Sequence, residues 1–418
     1  MSEQSRELSF VQVFGSSSTF NINESDIITC VSFSLDGKHI AVGDHGGRLV
    51  IFERNDNSSF EFMTEFQSHY PAFDSLKSQD IPEKINDASF LKQGCPSFFT
   101  VLTTNDKTIK SFKISTKNSF DILPKHSSDY AKAHQYHIHT INVASDQGHF
   151  FSVDDLRVNF WDITRNDICF TLVDNKPENL STLSEVISAF DSSPTDSSLF
   201  SYATTSGLFT LCDMRLSSTF HRDTALMFED QSYEAPSKTN FPTVTESIAS
   251  LRFSHDGQKI AIRDYLCAKI WDIRNSHQPE AIIPIHNQVI SDLNELYDRE
   301  IVFDTFDVNW SCKDEYLVTG SYSNRFILCD TRGEWGILNE AKRYIRPKGS
   351  VVSPPMSQGL INVSSIGSTY YMKNYGVIND RLPRVTDYDK KIVCCECSPT
   401  EDMYAVATLN NLFIYKLS

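Results

Sequence analysis

The stretch CVSFSLDGKHIAVGDHGGRLVIFE at 30–53 runs through an alternating strand, a polar break, a second strand, a tight turn and a third strand that ends on an aromatic residue and a charge. The break LDG is turn chemistry, because Asp bonds nearby backbone and Gly supplies positive φ. The pattern returns in LRFSHDGQKIAIRDYLCAKIWD (251–272) and CECSPTEDMYAVATLNNLFIYK (395–416). Its closing strand recurs as RLVIFE (48–53), TIKSFK (108–113), RVNFWD (157–162), LFTLCD (208–213), CAKIWD (267–272), RFILCD (325–330) and NLFIYK (411–416). The anchors are Phe52, Phe112, Trp161, Cys212, Trp271, Cys329 and Tyr415. The tight turns carry Asp44, Asp106, Asp155, Asp264, Asn324 and Asn411, residue types that bond or tolerate turn backbone. A fourth strand follows most anchors, as in FEFMTEF (60–66) and ICFTLV (168–173).

Seven units of four strands, with WD dipeptides at 161–162 and 271–272, resemble an all-β, seven-bladed WD-repeat β-propeller spanning 1–418 as one domain. Each blade has apolar faces that only its neighbours can cover, so the ring must close. LSFVQVF (8–14) precedes the first unit and is expected to pair with the last blade. The anchor spacings, 49 residues from 112 to 161 and 86 from 329 to 415, exceed one repeat. The surplus is expected as insertions at 67–83, 120–134, 228–246 and 331–387, the last an irregular surface loop.

Composition fits this architecture. The chain has 418 residues, too many for one ordinary core, and 29 Phe among 12% aromatics favour β structure. Against 38 Lys+Arg stand 54 Asp+Glu, a net charge of −16. That disfavours nucleic acid and anionic membranes as partners and suits basic ones. Ten Cys are scattered, mostly inside apolar runs. With no secretory signal and no apolar run of about 18 residues, they read as reduced thiols of a cytoplasmic or nuclear protein.

Chain direction selects a face. With strands a to d counted from the centre, b–c turns and d-to-next-a connections share one side of the disc. The long insertions fall there, as do GDHGGR (43–48), VDDLR (153–157) and the strand-leading residues of YHIHT (136–140). So does NKPENLSTLSEVIS (175–188), read as a surface helix over 176–188 with Pro177 at its first position and Leu180, Leu183 and Val186 or Ile187 on one side. These residues either pack onto the rim or form an exposed apolar ledge for a peptide. Asp154 and Asp155 either shape their turn or, with Arg157 and the leucines, form a composite binding surface.

Catalytic motifs are absent: the sequence holds no GxSxG, GxxxxGK[ST] or HExxH. CCEC (394–397) has no second Cys pair at zinc spacing, and HQYHIH (134–139) has no nearby ligand to complete a site. No metal or cofactor is expected.

FQSHYPAFDSLKS (66–78), inside a long excursion at 65–86, resembles the protruding hairpin of the B-family WD-repeat regulatory subunit of protein phosphatase 2A. EKIN (83–86), TNDKTIKSFKIS (104–115), AHQYHIHTI (133–141), DDLRVNFWDIT (154–164), LCDMR (211–215) and TGSYSNRF (319–326) are similar to the same family in the same order. The resemblance implies a non-catalytic subunit that binds the scaffold and catalytic subunits and recruits phosphoprotein substrates with basic segments. It places scaffold contacts on Phe66, Ser68, His69, Tyr70, Pro71, Phe73, Asp74, Leu76 and Lys77. It places substrate contacts on Glu24, Tyr136, His137, Asp155, Arg157, Leu180, Leu183, Val186, Tyr297 and Asp298, with Asp155 the acidic anchor. The chain departs from the family at His45 and Thr305, both usually Lys, at Leu180, usually Met, and at Pro82, usually acidic. The alternative is a WD-repeat adaptor of another complex, which has no reason to carry this hairpin.

Overall fold

The computed structural model describes residues 8–15, 22–56, 59–75, 77–95, 97–116, 124–220, 225–230, 242–333, 335–341, 370–373 and 386–417. Seven antiparallel sheets form the blades of one propeller. Blade 1 comprises Ile28–Phe33, His39–Asp44, Arg48–Arg54 and Phe60–Gln67. Blade 2 comprises Asp87–Cys95, Phe98–Thr104, Ile109–Ser115 and Lys125–Tyr130, and blade 3 Ile138–Val143, His149–Asp154, Arg157–Asp162 and Arg165–Asp174. Blade 4 runs Ile187–Ser192, Leu199–Thr204, Phe209–Asp213 and Leu226–Phe228; blade 5 runs Ser250–Phe253, Lys259–Arg263, Cys267–Asp272 and Ala281–Pro284. Blade 6 runs Val308–Trp310, Tyr316–Gly320, Arg325–Asp330 and Trp335–Glu340, with a fifth strand, Tyr370–Lys373, on its outer edge. Blade 7 is built from both ends of the chain: Cys395–Cys397, Met403–Thr408, Asn411–Leu417 and, outermost, Leu8–Gly15.

All seven anchors lie on third strands and are buried. The five aromatic anchors meet the preceding blade as ring contacts, for example Trp161 with Tyr130 of blade 2 at 5.7 Å between centroids. Closure by the first strand follows the expectation. Leu8–Gly15 pairs antiparallel with Asn411–Leu417, and Phe10 packs on Tyr415. The same strand grips blade 1: Gln12 donates to Phe60 O at 2.8 Å and accepts from Phe60 N at 2.9 Å, while Phe14 lies 4.1 Å from Phe52. Nearer the axis, side chains reach from one blade to the backbone of the next. Asn86 Nδ2 donates to Ile138 O at 2.7 Å, Ser188 Oγ to Ile248 O at 2.6 Å, and Thr29 Oγ1 to Ile85 O.

Several expected boundaries are corrected. Lys125–Tyr130, inside the expected 120–134 insertion, is the outer strand of blade 2. The segment 331–387 is not wholly an irregular loop, because Trp335–Glu340 is the outer strand of blade 6 and Tyr370–Lys373 pairs with it; residues 342–369 and 374–385 lie outside the described residues. The 228–246 insertion ends in a short helix, Pro242–Glu246. The expected helix over 176–188 is a single 3₁₀ turn, Leu180–Thr182, before strand a of blade 4 begins at Ile187. Asn179 caps that turn by accepting from Ser181 N, and exposed leucines give a longer helix nothing to pack against.

Shortening the chain to begin at residue 16 removes the outer strand of blade 7 and its grip on blade 1. The expected result is a melting temperature lower by about 5–10 °C in a circular-dichroism melt; an unchanged midpoint would show that the ring closes without this strand.

Candidate functional site

The b–c turns form the floor of the inserted face. In blades 1 and 5 the turn is closed by an Asp that bonds the backbone ahead of it: Asp44 accepts from Arg48 N, Asp264 from Leu266 N and Cys267 N. In blades 2 and 3 the closing residues are Asn105 and Asp154, not Asp106 and Asp155 as the sequence suggested. Asn105 Oδ1 accepts from Lys107 N and Thr108 N, and Asp154 Oδ1 from Leu156 N at 2.8 Å and Arg157 N at 2.7 Å.

Asp154 also ends a buried chain of polar groups. Trp161 Nε1 lies 2.8 Å from Ser152 Oγ, Ser152 Oγ 2.6 Å from His134 Nε2, and His134 Nδ1 2.8 Å from Asp154 Oδ2. The indole can only donate and the carboxylate only accept, so the bonds run from Trp161 through Ser152 and His134 to Asp154. Burial pushes the Asp154 carboxyl up, but His134 and the two N–H groups outweigh it and hold the group below the usual range.

Asp155 is left over. Its carboxylate has no hydrogen bond or ion pair among the described residues, and Arg157 is committed to Asp174 at 2.9 Å. Half-burial raises its pKa, as do Asp154 and Asp106; His137 and Lys107 oppose them. Its backbone positions the apolar segment: Ile187 N donates to Asp155 O at 2.7 Å and Asn175 N to Leu156 O at 2.9 Å. The connection 175–186 thus leaves and returns on this one turn. On it Leu180 is 53% exposed and Leu183 37%, so they form a ledge and do not pack onto the rim, and Val186 is half-buried. His137 acts electrostatically on Asp155, with its Nδ1 2.8 Å from Asp106, and Tyr136, half-buried, precedes it.

The remaining expected contacts share the face but lie on other blades. Glu24 is exposed on the connection into blade 1, and Tyr297 and Asp298 end a helix, Leu293–Asp298, on the connection 285–307 into blade 6. Sequence reading missed that helix, although Leu293, Leu296 and Tyr297 have helical spacing; Leu293 and Leu296 are buried beneath it. Thr305 is exposed on the same connection. It lines the central channel with His45, near Arg252, Asp307 and Glu396.

The excursion after blade 1 divides into anchor and tip. Phe66 packs 4.7 Å from Phe112, Ser68 Oγ lies 2.6 Å from Thr103 Oγ1, and His69 is buried at 1% exposure beside Thr103. Ser68, His69 and in large part Phe66 therefore hold the base to the blades. Ser68 N and His69 N both donate to Gly47 O. Gly47 has φ +80°, and a Cβ there would lie 2.5 Å from His69 O and 2.7 Å from Glu83 O, so only glycine lets both ends of the excursion cross this turn. Beyond the base, Ala72–Asp74 and Gln79–Ile81 form a separate two-stranded sheet. There Tyr70 is 66% and Phe73 62% exposed; Pro71 and Lys77 are exposed and Asp74 half-buried, while Leu76 lies outside the described residues.

No family model matches the chain. It is 35% identical, over 97% of both chains, to the B-type regulatory subunit of protein phosphatase PP2A of Schizosaccharomyces pombe. The chain belongs to the B regulatory subunit family of protein phosphatase 2A. A second relative, the serine/threonine-protein phosphatase 2A regulatory subunit sur-6 of Caenorhabditis elegans, is 35% identical over 97% of this chain and 89% of its own. The Drosophila melanogaster protein phosphatase PP2A 55 kDa regulatory subunit is 34% identical over 95% and 84%. As a member of this family the chain is regulatory and not catalytic. Among solved structures, Raptor of Chaetomium thermophilum superposes with a TM-score of 0.58 at 13% identity over 94% of this chain and 28% of that one, which shows the fold alone.

The two neighbouring carboxylates of this regulatory subunit are expected to respond unequally to loss of charge. Asp154→Asn should cost roughly 2–3 kcal/mol at neutral pH, as for a hydrogen bond to a charged group. A depressed folded-state pKa stabilises above the unfolded carboxylate range near pH 4 and is lost as pH falls through the folded value, so this cost should shrink toward pH 3. Asp155 has the raised pKa, so its ionised form stabilises nothing; Asp155→Asn should change stability by less than about 0.5 kcal/mol. Urea titrations at both pH values check the pair.

Proposed function

We propose that this chain selects substrates for a protein phosphatase 2A holoenzyme. The tip of the 65–86 hairpin docks on the scaffold subunit, the inserted face lies beside the catalytic subunit, and phosphoprotein substrates bind by a basic segment at Asp155. The observation that carries this reading is the Asp155 carboxylate, half-buried and without a bond among the described residues, on a turn whose backbone also holds the segment with the exposed Leu180 and Leu183. A Lys or Arg of a docked segment supplies the missing partner while the leucines cover its apolar side. The hairpin supports the scaffold contact, because Tyr70 and Phe73 expose apolar area where no blade covers it. The thiols of Cys30, Cys212, Cys267 and Cys394 form no disulfide, which fits assembly in the cytoplasm or nucleus.

Two variants separate the roles. Replacing 70–81 by a short Gly-Ser linker, with the anchor 67–69 kept, should leave a folded propeller that no longer co-purifies with the scaffold and catalytic subunits. Retained co-purification would remove the hairpin from the assembly. Asp155→Lys should assemble normally yet lower dephosphorylation of a phosphoprotein substrate by at least about tenfold, as for loss of a desolvated charge pair. Unchanged turnover by the assembled variant would remove Asp155 from the substrate site.

A further inference from the structure

Beside Asp155, three lysines from three separate segments converge on one neutral residue. Lys77, which the resemblance put among the scaffold contacts, turns its Nζ back from the hairpin to 2.6 Å from Gln135 O, and Lys107 Nζ, from the b–c turn of blade 2, lies 2.9 Å from the same oxygen. Lys176 Nζ, from the connection after blade 3, lies 3.1 Å from Gln135 Oε1. Two ammonium groups on one carbonyl oxygen are close enough for a single tetrahedral anion to bridge. Each has three donors, and Gln135 takes one from each.

None of the three ammoniums is held in an ion pair, although Asp74, Asp106, Asp154 and Asp155 lie within electrostatic reach of Lys107. Among the described residues no carboxylate is in ion-pair contact with any of the three. Asp106 is taken by His137 and Asn86, Asp154 by His134, and Asp174 by Arg157. The Lys107 ammonium is held below its ordinary range, first by burial and then by Lys77, against the pull of Asp106, Asp154 and Asp74. In a chain of net charge −16, three ammoniums that converge on one neutral residue without a direct ion pair offer donors to an anion.

We propose that Lys77, Lys107 and Lys176 form a receptor for a phosphorylated serine or threonine of the docked partner, next to the Asp155 pocket for its basic residue. A dianionic phosphate offers three acceptor oxygens to three ammoniums, whereas a carboxylate offers two and a single charge. Lys107 acts electrostatically on both Lys77 and Asp155, so one short segment can carry both features. The phosphate held here is a recognition element, distinct from the one a catalytic subunit would remove. The proposal rests on the docking-face reading above for its location, and its test separates the two.

Three labelled peptides sharing a basic stretch and differing only in Ser, Glu or phosphoserine at one later position, set at successive spacings, are titrated onto the full chain by fluorescence polarisation. At the best spacing the phosphoserine peptide should bind about tenfold tighter than the Ser peptide and clearly tighter than the Glu peptide. Lys107→Gln and Lys176→Gln should abolish most of that preference and leave Ser-peptide affinity unchanged, whereas Asp155→Lys should weaken all three peptides. In a second arm, millimolar O-phosphoserine should raise the melting temperature of the wild type and not of the Lys107→Gln/Lys176→Gln double variant. Equal binding of the Ser and phosphoserine peptides, equal binding of the Glu and phosphoserine peptides, or lysine variants that weaken every peptide alike would overturn the phosphate receptor, as would no lysine-dependent response in either arm. A lysine-dependent phosphoserine preference that survives Asp155→Lys unchanged would keep the receptor and discard the Asp155 reading.

Discussion

Closure of the ring governs everything else in this molecule. No blade can bury both of its faces alone, so each depends on two neighbours, and the last depends on the first eight described residues returning to the C-terminal strand. The clasp is double, with a β-ladder to Asn411–Leu417 on one side and the reciprocal Gln12–Phe60 bonds on the other. Once the ring is closed, antiparallel pairing sends every b–c turn and every d-to-a connection to one face. The functional surface is therefore a consequence of topology before any side chain is chosen.

On that face, adjacent residues divide the work of closing a turn unequally. Asn105 and Asp154 close their turns, and the next residues, Asp106 and Asp155, are released from that duty. The neighbouring carboxylates of blade 3 consequently titrate in opposite directions from one ordinary value. Asp154 is held charged by His134 and two amides, and Asp155 is burdened by desolvation and by Asp154 itself. A pair of identical residues thus contains one structural group and one group with unused bonding capacity.

Much of this was legible in the sequence, and the reasons are specific. The anchors were legible because strand c must place a large apolar residue between blades, and period-two alternation around a Gly- or Asp-bearing turn marks it. The face was legible because it follows from strand direction. The helix over 176–188 was misread because leucine spacing shows amphipathicity without showing whether a surface exists to receive it. Leu293 and Leu296 have the same kind of spacing and do find a buried seat. Which of two adjacent aspartates closes a turn was not legible, because the register of a tight turn is set by its hydrogen bonds. Ser68 and His69 looked like hairpin, but Thr103 in the next blade claims them. The lysine cluster joins residues 77, 107, 135 and 176, and no local pattern could bring these together.

The loop 175–186 has both ends bonded to the turn at 155–156. Its conformational freedom is given up when the protein folds, not when a partner arrives. Ligands meeting it lose little entropy in ordering the receptor, so modest contacts suffice for discrimination while dissociation remains fast. The tether also fixes the loop relative to Asp155 whatever residues occupy its tip. On the proposed reading, Leu180 and its neighbours can therefore change in evolution, shifting the preferred partner, without moving the Asp155 charge.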